Sequence, residues 1–259
     1  MTNTPVWLER TELLISEKNL ELLAQTNVLI VGLGGVGSFA AEFLARAGIG
    51  KMTIVDGDVV DITNTNRQLP AMHSTVGKSK AALMQERLED INPSIKLRTI
   101  NEFIIPEESG KLVNSENYDY VLDCIDSVTP KILLIKAAKE KGCKIISSMG
   151  AGGKVDSMKI KYADISKTHI CPFAYYIRKR LRLEGIHGGV MTVFSEEMPI
   201  KESIKMTNGL NYKKSFYGTI SYIPALFGLN MASWVVRDAC GMFEPTPLCV
   251  PKKDKRRGE

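Results

Sequence analysis

The chain has 259 residues, 44% of them hydrophobic, which suits one large domain or two small ones with a buried core. Lys and Arg exceed Asp and Glu by 34 to 29, and much of the excess sits in two runs, Arg178-Lys179-Arg180-Leu181-Arg182 and Lys252-Lys253-Asp254-Lys255-Arg256-Arg257. Cys124, Cys143, Cys171, Cys240 and Cys249 form no CxxC pair and no disulfide-type spacing, so they read as reduced thiols. No basic segment followed by an apolar run opens the sequence, and the cytoplasm is the expected compartment. Ile220 to Val236 is apolar, but Pro224 and Asn230 interrupt it and Arg237 and Asp238 follow at once. It reads as a strand end and a buried helix, not a membrane span.

In chain order, a helical N-terminal arm over 1–26 precedes strand patterns at Val28–Gly32, Met52–Asp56, Lys96–Ile100, Tyr120–Cys124 and Lys144–Ser148. Helical patterns lie between them at Val36–Ala47, Ser79–Ile91, Pro106–Val113 and Pro130–Lys141, and Pro130 after Ser127 and Thr129 suits a helix start. This alternation predicts an α/β, Rossmann-like, doubly wound and mainly parallel sheet, with its nucleotide-binding core over 27–150. Beyond Gly150 the pattern changes. Gly150-Ala151-Gly152-Gly153 is a flexible turn, Val155–Ile165 and Met191–Ser195 read as strands, and Cys171–Leu183 reads as a basic helix begun at Pro172. A single domain over 1–259 is expected, with a C-terminal strand and helix elaboration at 151–244 and a basic, flexible tail at 245–259.

The chemistry begins at the strand-turn-helix run Val28-Leu29-Ile30-Val31-Gly32-Leu33-Gly34-Gly35-Val36-Gly37. Its glycines allow a tight turn and let backbone N–H groups approach phosphate at a helix N-terminus, while Asp56 at the end of the next strand can hold a ribose hydroxyl. NAD and ATP both fit. The segment Asp56-Gly57-Asp58-Val59-Val60-Asp61-Ile62-Thr63-Asn64-Thr65-Asn66-Arg67-Gln68 and the later Val76-Gly77-Lys78-Ser79-Lys80 add what a nicotinamide site does not need. Arg67 and Lys80 bring cations to the phosphates, as chemistry at phosphorus requires. Asp123-Cys124-Ile125-Asp126-Ser127 places carboxylates at a strand end, where hard oxygen ligands suit Mg²⁺.

Taken in this order and spacing, GLGGVG, DGDVVDITNTNRQ, VGKSK and DCIDS resemble the ubiquitin-activating-enzyme-like adenylyltransferases of the molybdopterin and thiamine pathways. RTELLI at 10–15, NTNRQ at 64–68, DSVTPK at 126–131 and GAGGKVD at 150–156 are most similar to the tRNA threonylcarbamoyladenosine dehydratase branch of that family. The resemblance implies ATP as cosubstrate and tRNA as the molecule acted on, its threonyl carboxylate being adenylated and then closed into a ring. By position, Gly32, Gly34, Gly35 and Gly37 form the phosphate loop, Asp56 holds the ribose, and Asn64, Arg67 and Lys80 contact the triphosphate. Asp126 binds Mg²⁺. Arg10 matches an arginine that reaches the nucleotide of a partner subunit, which implies a homodimer. The resemblance also implies a monovalent cation, K⁺ or Na⁺, in the GAGG loop and sulfur-transfer proteins as partners.

The rival activity is activation of the C-terminal glycine of a ubiquitin-like sulfur carrier protein, which uses the same nucleotide site. Those relatives commonly carry a zinc on two CxxC pairs, and this sequence has none. Asp58 and Asp123 read as structural, Asn66 and Gln68 either order their own turn or serve the site, and Cys171 is the one thiol placed as a nucleophile. The basic helix is either a solvated face or a contact for a polyanion, most naturally RNA.

Overall fold

The computed structural model describes residues 4–207 and 215–243. The N-terminal arm forms two helices, α1 (Glu9–Ile15) and α2 (Glu17–Gln25). Next, β1 (Asn27–Val31) leads through the glycine turn into α3 (Gly37–Arg46) and β2 (Lys51–Val55), and a long crossing segment reaches α4 (Lys80–Ile91) and β3 (Lys96–Ile100). After α5 (Ser109–Asn114) come β4 (Tyr120–Asp123), α6 (Val128–Lys141) and β5 (Lys144–Ser148). The C-terminal part adds β6 (Ile160–Asp164), α7 (Pro172–Leu183), β7 (Met191–Ser195), the short pair β8 (Ile204–Met206) and β9 (Ser215–Tyr217), and α8 (Tyr222–Ala239). The tail at 245–259 and Cys249 lie outside the described residues.

Seven strands form one sheet in the order β3-β2-β1-β4-β5-β7-β6, all parallel except β6. Every residue of β1 is buried, as expected for a strand covered on both faces. Its alternation divides the core: Val28 and Ile30 pack with Leu23, Leu44, Met84 and Phe227 of α2, α3, α4 and α8. Leu29 and Val31 pack with Val113, Ile135 and Ile177 of α5, α6 and α7. On α8 a Cβ at Gly228 would lie 2.3 Å from the Val36 carbonyl oxygen, so only glycine lets α8 touch the start of α3 so closely.

Two segments differ from the sequence expectation. The 106–113 helix divides into a 3₁₀ turn at Pro106–Glu108 and α5. The strand expected from Val155 begins only at Ile160. Glu197 takes the backbone donors instead: its carboxylate accepts from Val155 N at 3.1 Å and Asp156 N at 2.8 Å, and Asp156 then caps a 3₁₀ turn over Ser157–Lys159. The β8–β9 pair has no counterpart in the sequence expectation.

The sheet's carboxyl edge is fastened by an ion pair in the core. Lys131 and Asp123 both have fully buried side chains, 2.6 Å apart. Asp123 Oδ2 also accepts from Ser147 Oγ at 2.6 Å, and Lys131 Nζ donates to the Ser148 carbonyl at 3.0 Å. The pair thereby ties β4, β5 and α6 together. Removing one member strands a buried charge, so Lys131→Met is expected to lower unfolding free energy by about 3–5 kcal/mol, read by denaturant titration. The double variant Lys131→Met/Asp123→Leu should recover part of that loss; a single variant as stable as the parent would show that the pair does not hold the edge.

Candidate active site

From β1 the chain connects to β2 and β3 on one side, while β4 and β5 lie on the other, so a crevice opens at the carboxyl ends of β1 and β4. The glycine turn fills it. Gly32 adopts φ 92° and donates to the Val55 carbonyl at 2.8 Å. A Cβ at Gly37 would lie 1.8 Å from the Gly32 carbonyl oxygen, so the turn closes on itself only with glycine at that position. No side chain caps α3, which leaves its first N–H groups to serve an anion.

Asp56 latches this turn to β2: Oδ2 accepts from Leu33 N at 2.6 Å and Oδ1 from Asp58 N at 2.8 Å. Burial pushes its carboxyl above the ordinary aspartate range, against the pull of those two N–H groups and of Lys80. Asp58 in turn accepts from Lys80 Nζ at 3.0 Å. Lys80 opens α4 and is only 4% exposed, so the Asp56–Asp58 turn holds a desolvated ammonium beside the cradle.

Asn64 is a builder of the loop. Its Oδ1 accepts from Asp61 N at 3.2 Å, and its carbonyl accepts from Arg67 N at 3.0 Å and Gln68 N at 2.9 Å. Arg67 is thereby set against the cradle, its carbonyl oxygen 3.2 Å from a Cβ placed at Gly35. Its Nη1 donates to the Thr63 carbonyl at 3.0 Å and to Asn66 Oδ1 at 2.9 Å. Burial draws the Arg67 pKa down while Asp126 draws it up, which places the exposed Asp126 carboxylate within electrostatic reach of the guanidinium. The loop bearing Asp126 is shaped from below, where Asp123 Oδ1 accepts from Ile125 N at 3.1 Å.

The crevice brings Gly32, Gly34, Gly35, Gly37, Asp56, Asn64, Arg67, Lys80 and Asp126 into one neighbourhood. It does not bring in Arg10, which is exposed on α1, a helix that packs chiefly on α2. Three residues gain weight from the structure alone. Asp58 holds Lys80, Lys131 fixes the floor, and Gln68 is buried with Oε1 lacking any hydrogen-bond partner. Gln68 Nε2 lies 3.7 Å from a Cβ placed at Gly34, so this amide packs against the cradle with its buried oxygen left without a donor. Among the described residues no three His, Cys, Asp or Glu side chains cluster as a metal cage. A single carboxylate at Asp126 suits Mg²⁺, which takes one or two protein carboxylates and completes its shell with phosphate and water oxygens.

The thiols stand apart from this chemistry. Burial pushes the Cys124 thiol well above its ordinary range, and Cys171 is buried at the start of α7 with its Sγ 3.9 Å from Lys154 Nζ.

A sequence model of the ThiF family matches residues 8–249. The chain belongs to the ThiF family. Within it, this ThiF protein is 42% identical over 236 residues to the tRNA threonylcarbamoyladenosine dehydratase of Bacillus subtilis, covering 88% of this chain and 92% of that one. The structure of the Escherichia coli enzyme of the same name in complex with ATP superposes with a TM-score of 0.81 at 35% identity, over 93% of this chain and 98% of that one. Similarity to the adenylyltransferase and sulfurtransferase UBA4 of Vanderwaltozyma polyspora, 37% over 132 residues, reaches only 51% of this chain and 30% of that one.

Gly37→Ala tests the cradle. The added methyl meets backbone at 1.8 Å, so the turn must open and ATP affinity, read by calorimetry, is expected to fall at least about 100-fold. Unchanged affinity would show that the closed turn is not what receives the phosphates.

Proposed function

We infer that this chain is an ATP-dependent tRNA threonylcarbamoyladenosine dehydratase. What carries the reading is the placement of Arg67 against Gly35 and of Lys80 on the Asp56–Asp58 turn, two cations at one phosphate cradle, in a chain similar along most of its length to enzymes of that name. The threonyl carboxylate of the modified nucleoside attacks the α-phosphorus of ATP, a P–O bond forms as the bond to the β-phosphate oxygen breaks, and pyrophosphate leaves. Two anions must meet in that step. Arg67 and Lys80 offset their repulsion and stabilise charge on the pyramidal phosphorus. Asp126 is the residue that would hold Mg²⁺, which when bound would supply further neutralisation of the phosphate charge. The carbamoyl group of the same nucleoside then takes the activated carbonyl and AMP departs with the carboxyl oxygen, a net loss of water from the nucleoside. Well-oriented closures of this kind reach effective molarities of roughly 10⁵–10⁸ M, so positioning suffices and no enzymic thiol is needed.

Adenylation of a sulfur carrier protein is the less favoured reading, because that likeness spans half the chain and no CxxC zinc ligands are present. A homodimer is supported by the arm: α1 buries none of its residues, and Leu13 and Leu14 are 82% and 80% exposed. In such a dimer Arg10 serves the partner subunit's nucleotide. A monovalent cation at Gly150–Gly153 and a sulfur-transfer partner rest on the family resemblance, since the Gly150 carbonyl already accepts from Lys154. No helix among the described residues is long and apolar enough to cross a membrane.

RNA as substrate is supported by α7. Ala174, Ile177 and Leu181 face the core, while Tyr175, Tyr176, Lys179 and Arg182 are exposed, so aromatic and cationic groups share the outer face. Replacing Lys179 and Arg182 by Glu is expected to raise KM for tRNA and to flatten its dependence on salt, because a phosphate that no longer meets a cation keeps its condensed counterions on binding. A salt dependence identical to that of the parent would take α7 out of the interface.

The reaction itself is checked by mass spectrometry of tRNA nucleosides after incubation with ATP, with Lys80→Ala as the inactive control. Threonylcarbamoyladenosine should lose one water mass with release of AMP and pyrophosphate. Retention of the full mass with fully modified tRNA would sink the assignment.

A further inference from the structure

Beside the cradle lies a cavity of about 450 Å³, within the roughly 300–1,000 Å³ typical of small-molecule sites. It is bounded by the Gly153–Val155 loop, Ile200 and Ser203 beyond β7, and the Gly218–Ser221 turn that leads into α8. Asn66 is the wall it shares with the nucleotide site. The Asn66 Nδ2 donates to the Thr219 carbonyl at 2.9 Å on the cavity side, while its Oδ1 accepts from Arg67 on the cradle side. Pro224, one turn farther along α8, stands 2.9 Å from a Cβ placed at Gly35. A molecule seated in the cavity is therefore one side chain away from the guanidinium that faces the phosphates.

We propose that this cavity seats the modified nucleoside, its purine between the aliphatic side chains of Val155, Ile200 and Ile220 and its carbamoyl arm directed past Asn66 toward Arg67. The proposal rests on the dehydratase reading above and names the pocket that reading requires.

The lining selects for such a ligand. No acidic residue lines it, and Lys154, its one cation, turns its ammonium away to the Gly150 carbonyl and Cys171 Sγ. Burial also draws the Lys154 pKa down. With no carboxylate in its lining and its one ammonium bonded to Gly150 and Cys171, the chamber disfavours phosphate or an acidic peptide and accepts a neutral heterocycle. Val155, Ile200 and Ile220 are all exposed at it, offering apolar plates to a flat ring. Two of its three hydroxyls already donate, Ser203 Oγ to the Ile200 carbonyl at 2.7 Å and Thr219 Oγ1 to the Tyr217 carbonyl at 3.0 Å, so what those two have left for a ligand is acceptor capacity. A purine with a carbamoyl linkage supplies N–H donors to match. A base in a single-stranded loop can leave the stack and enter such a pocket at the cost of unstacking, as enzymes acting on bases require.

The test fills the cavity from an exposed position. Ile220→Trp, with Ser221→Trp as an independent second variant, should lower kcat/KM for modified tRNA at least 30-fold, chiefly through KM, with ATP affinity within twofold of the parent. Free threonylcarbamoyladenosine nucleoside, titrated in the presence of AMP, should bind the parent saturably and fail to bind either Trp variant. Unchanged kcat/KM in both Trp variants overturns the proposal. Should the parent leave modified tRNA unchanged, the dehydratase reading fails by itself. The nucleoside titration then still decides the pocket: binding blocked by Trp sustains it, and absence of binding overturns it.

Discussion

A lysine ammonium and an aspartate carboxylate, both fully removed from solvent, sit where β4 ends and α6 begins, and the working edge of the sheet depends on them. Burying two charges costs several kcal/mol apiece, so an arrangement of this kind persists only when each remaining lone pair and proton is used. Lys131 reaches Asp123, Ser147 and the Ser148 carbonyl, and Asp123 reaches Ser147 and the Ile125 amide. An apolar pair could fill the same space without fixing the direction of the loop that follows. The directional bonds make the path from Asp123 to Ser127 specific, and Asp126 rides on that path.

Above this floor the site is a balance of charges, each kept from collapsing onto the wrong partner. Lys80 has Asp58 as a local counter-charge, and Asp58 is itself steered by the Asp56 carboxylate through its own N–H. A ligand with several negative charges competes with one half-exposed carboxylate for Lys80, and Asp58 can return to water. The hydrogen bonds of Arg67 Nη1 go to neutral acceptors, the Thr63 carbonyl and the Asn66 amide, with the Asp126 carboxylate within electrostatic reach of the guanidinium. Neutral acceptors orient a guanidinium at less cost to its action on phosphate than a carboxylate would.

The sequence made the parallel core legible because its strands are short apolar runs and its helices begin at recognisable caps. Strands at Lys96–Ile100, Lys144–Ser148 and Met191–Ser195 and the helix from Pro172 to Leu183 have the expected bounds. The crevice residues were legible as motif letters whose spacing follows the βαβ connection. What escaped was set by distant partners. Val155 carries a strand-like pattern, yet its amide is taken by Glu197, 42 residues away. Lys131 follows DSVTP as an ordinary helix residue, and only the fold shows it buried on Asp123. Gln68 differs from a turn-former in having its oxygen enclosed without a donor, a fact no local pattern encodes. The β8–β9 pair has three residues in each strand, too few for alternation to register.

The backbone contact between α8 and α3 at Gly228 carries one last implication. The first turn of α8 abuts Gly35 through Pro224, its third and fourth turns supply Met231, Trp234 and Val235 to the core, and the residues just before it border the neighbouring cavity. One helix thus serves as a common beam for both reactants. The separation of cradle and cavity is set when the chain folds, by helix packing that admits no methyl group. Close-packed helices yield little under load. A substitution that thickens the α3–α8 contact would shift the cavity relative to the cradle from a position that lines neither.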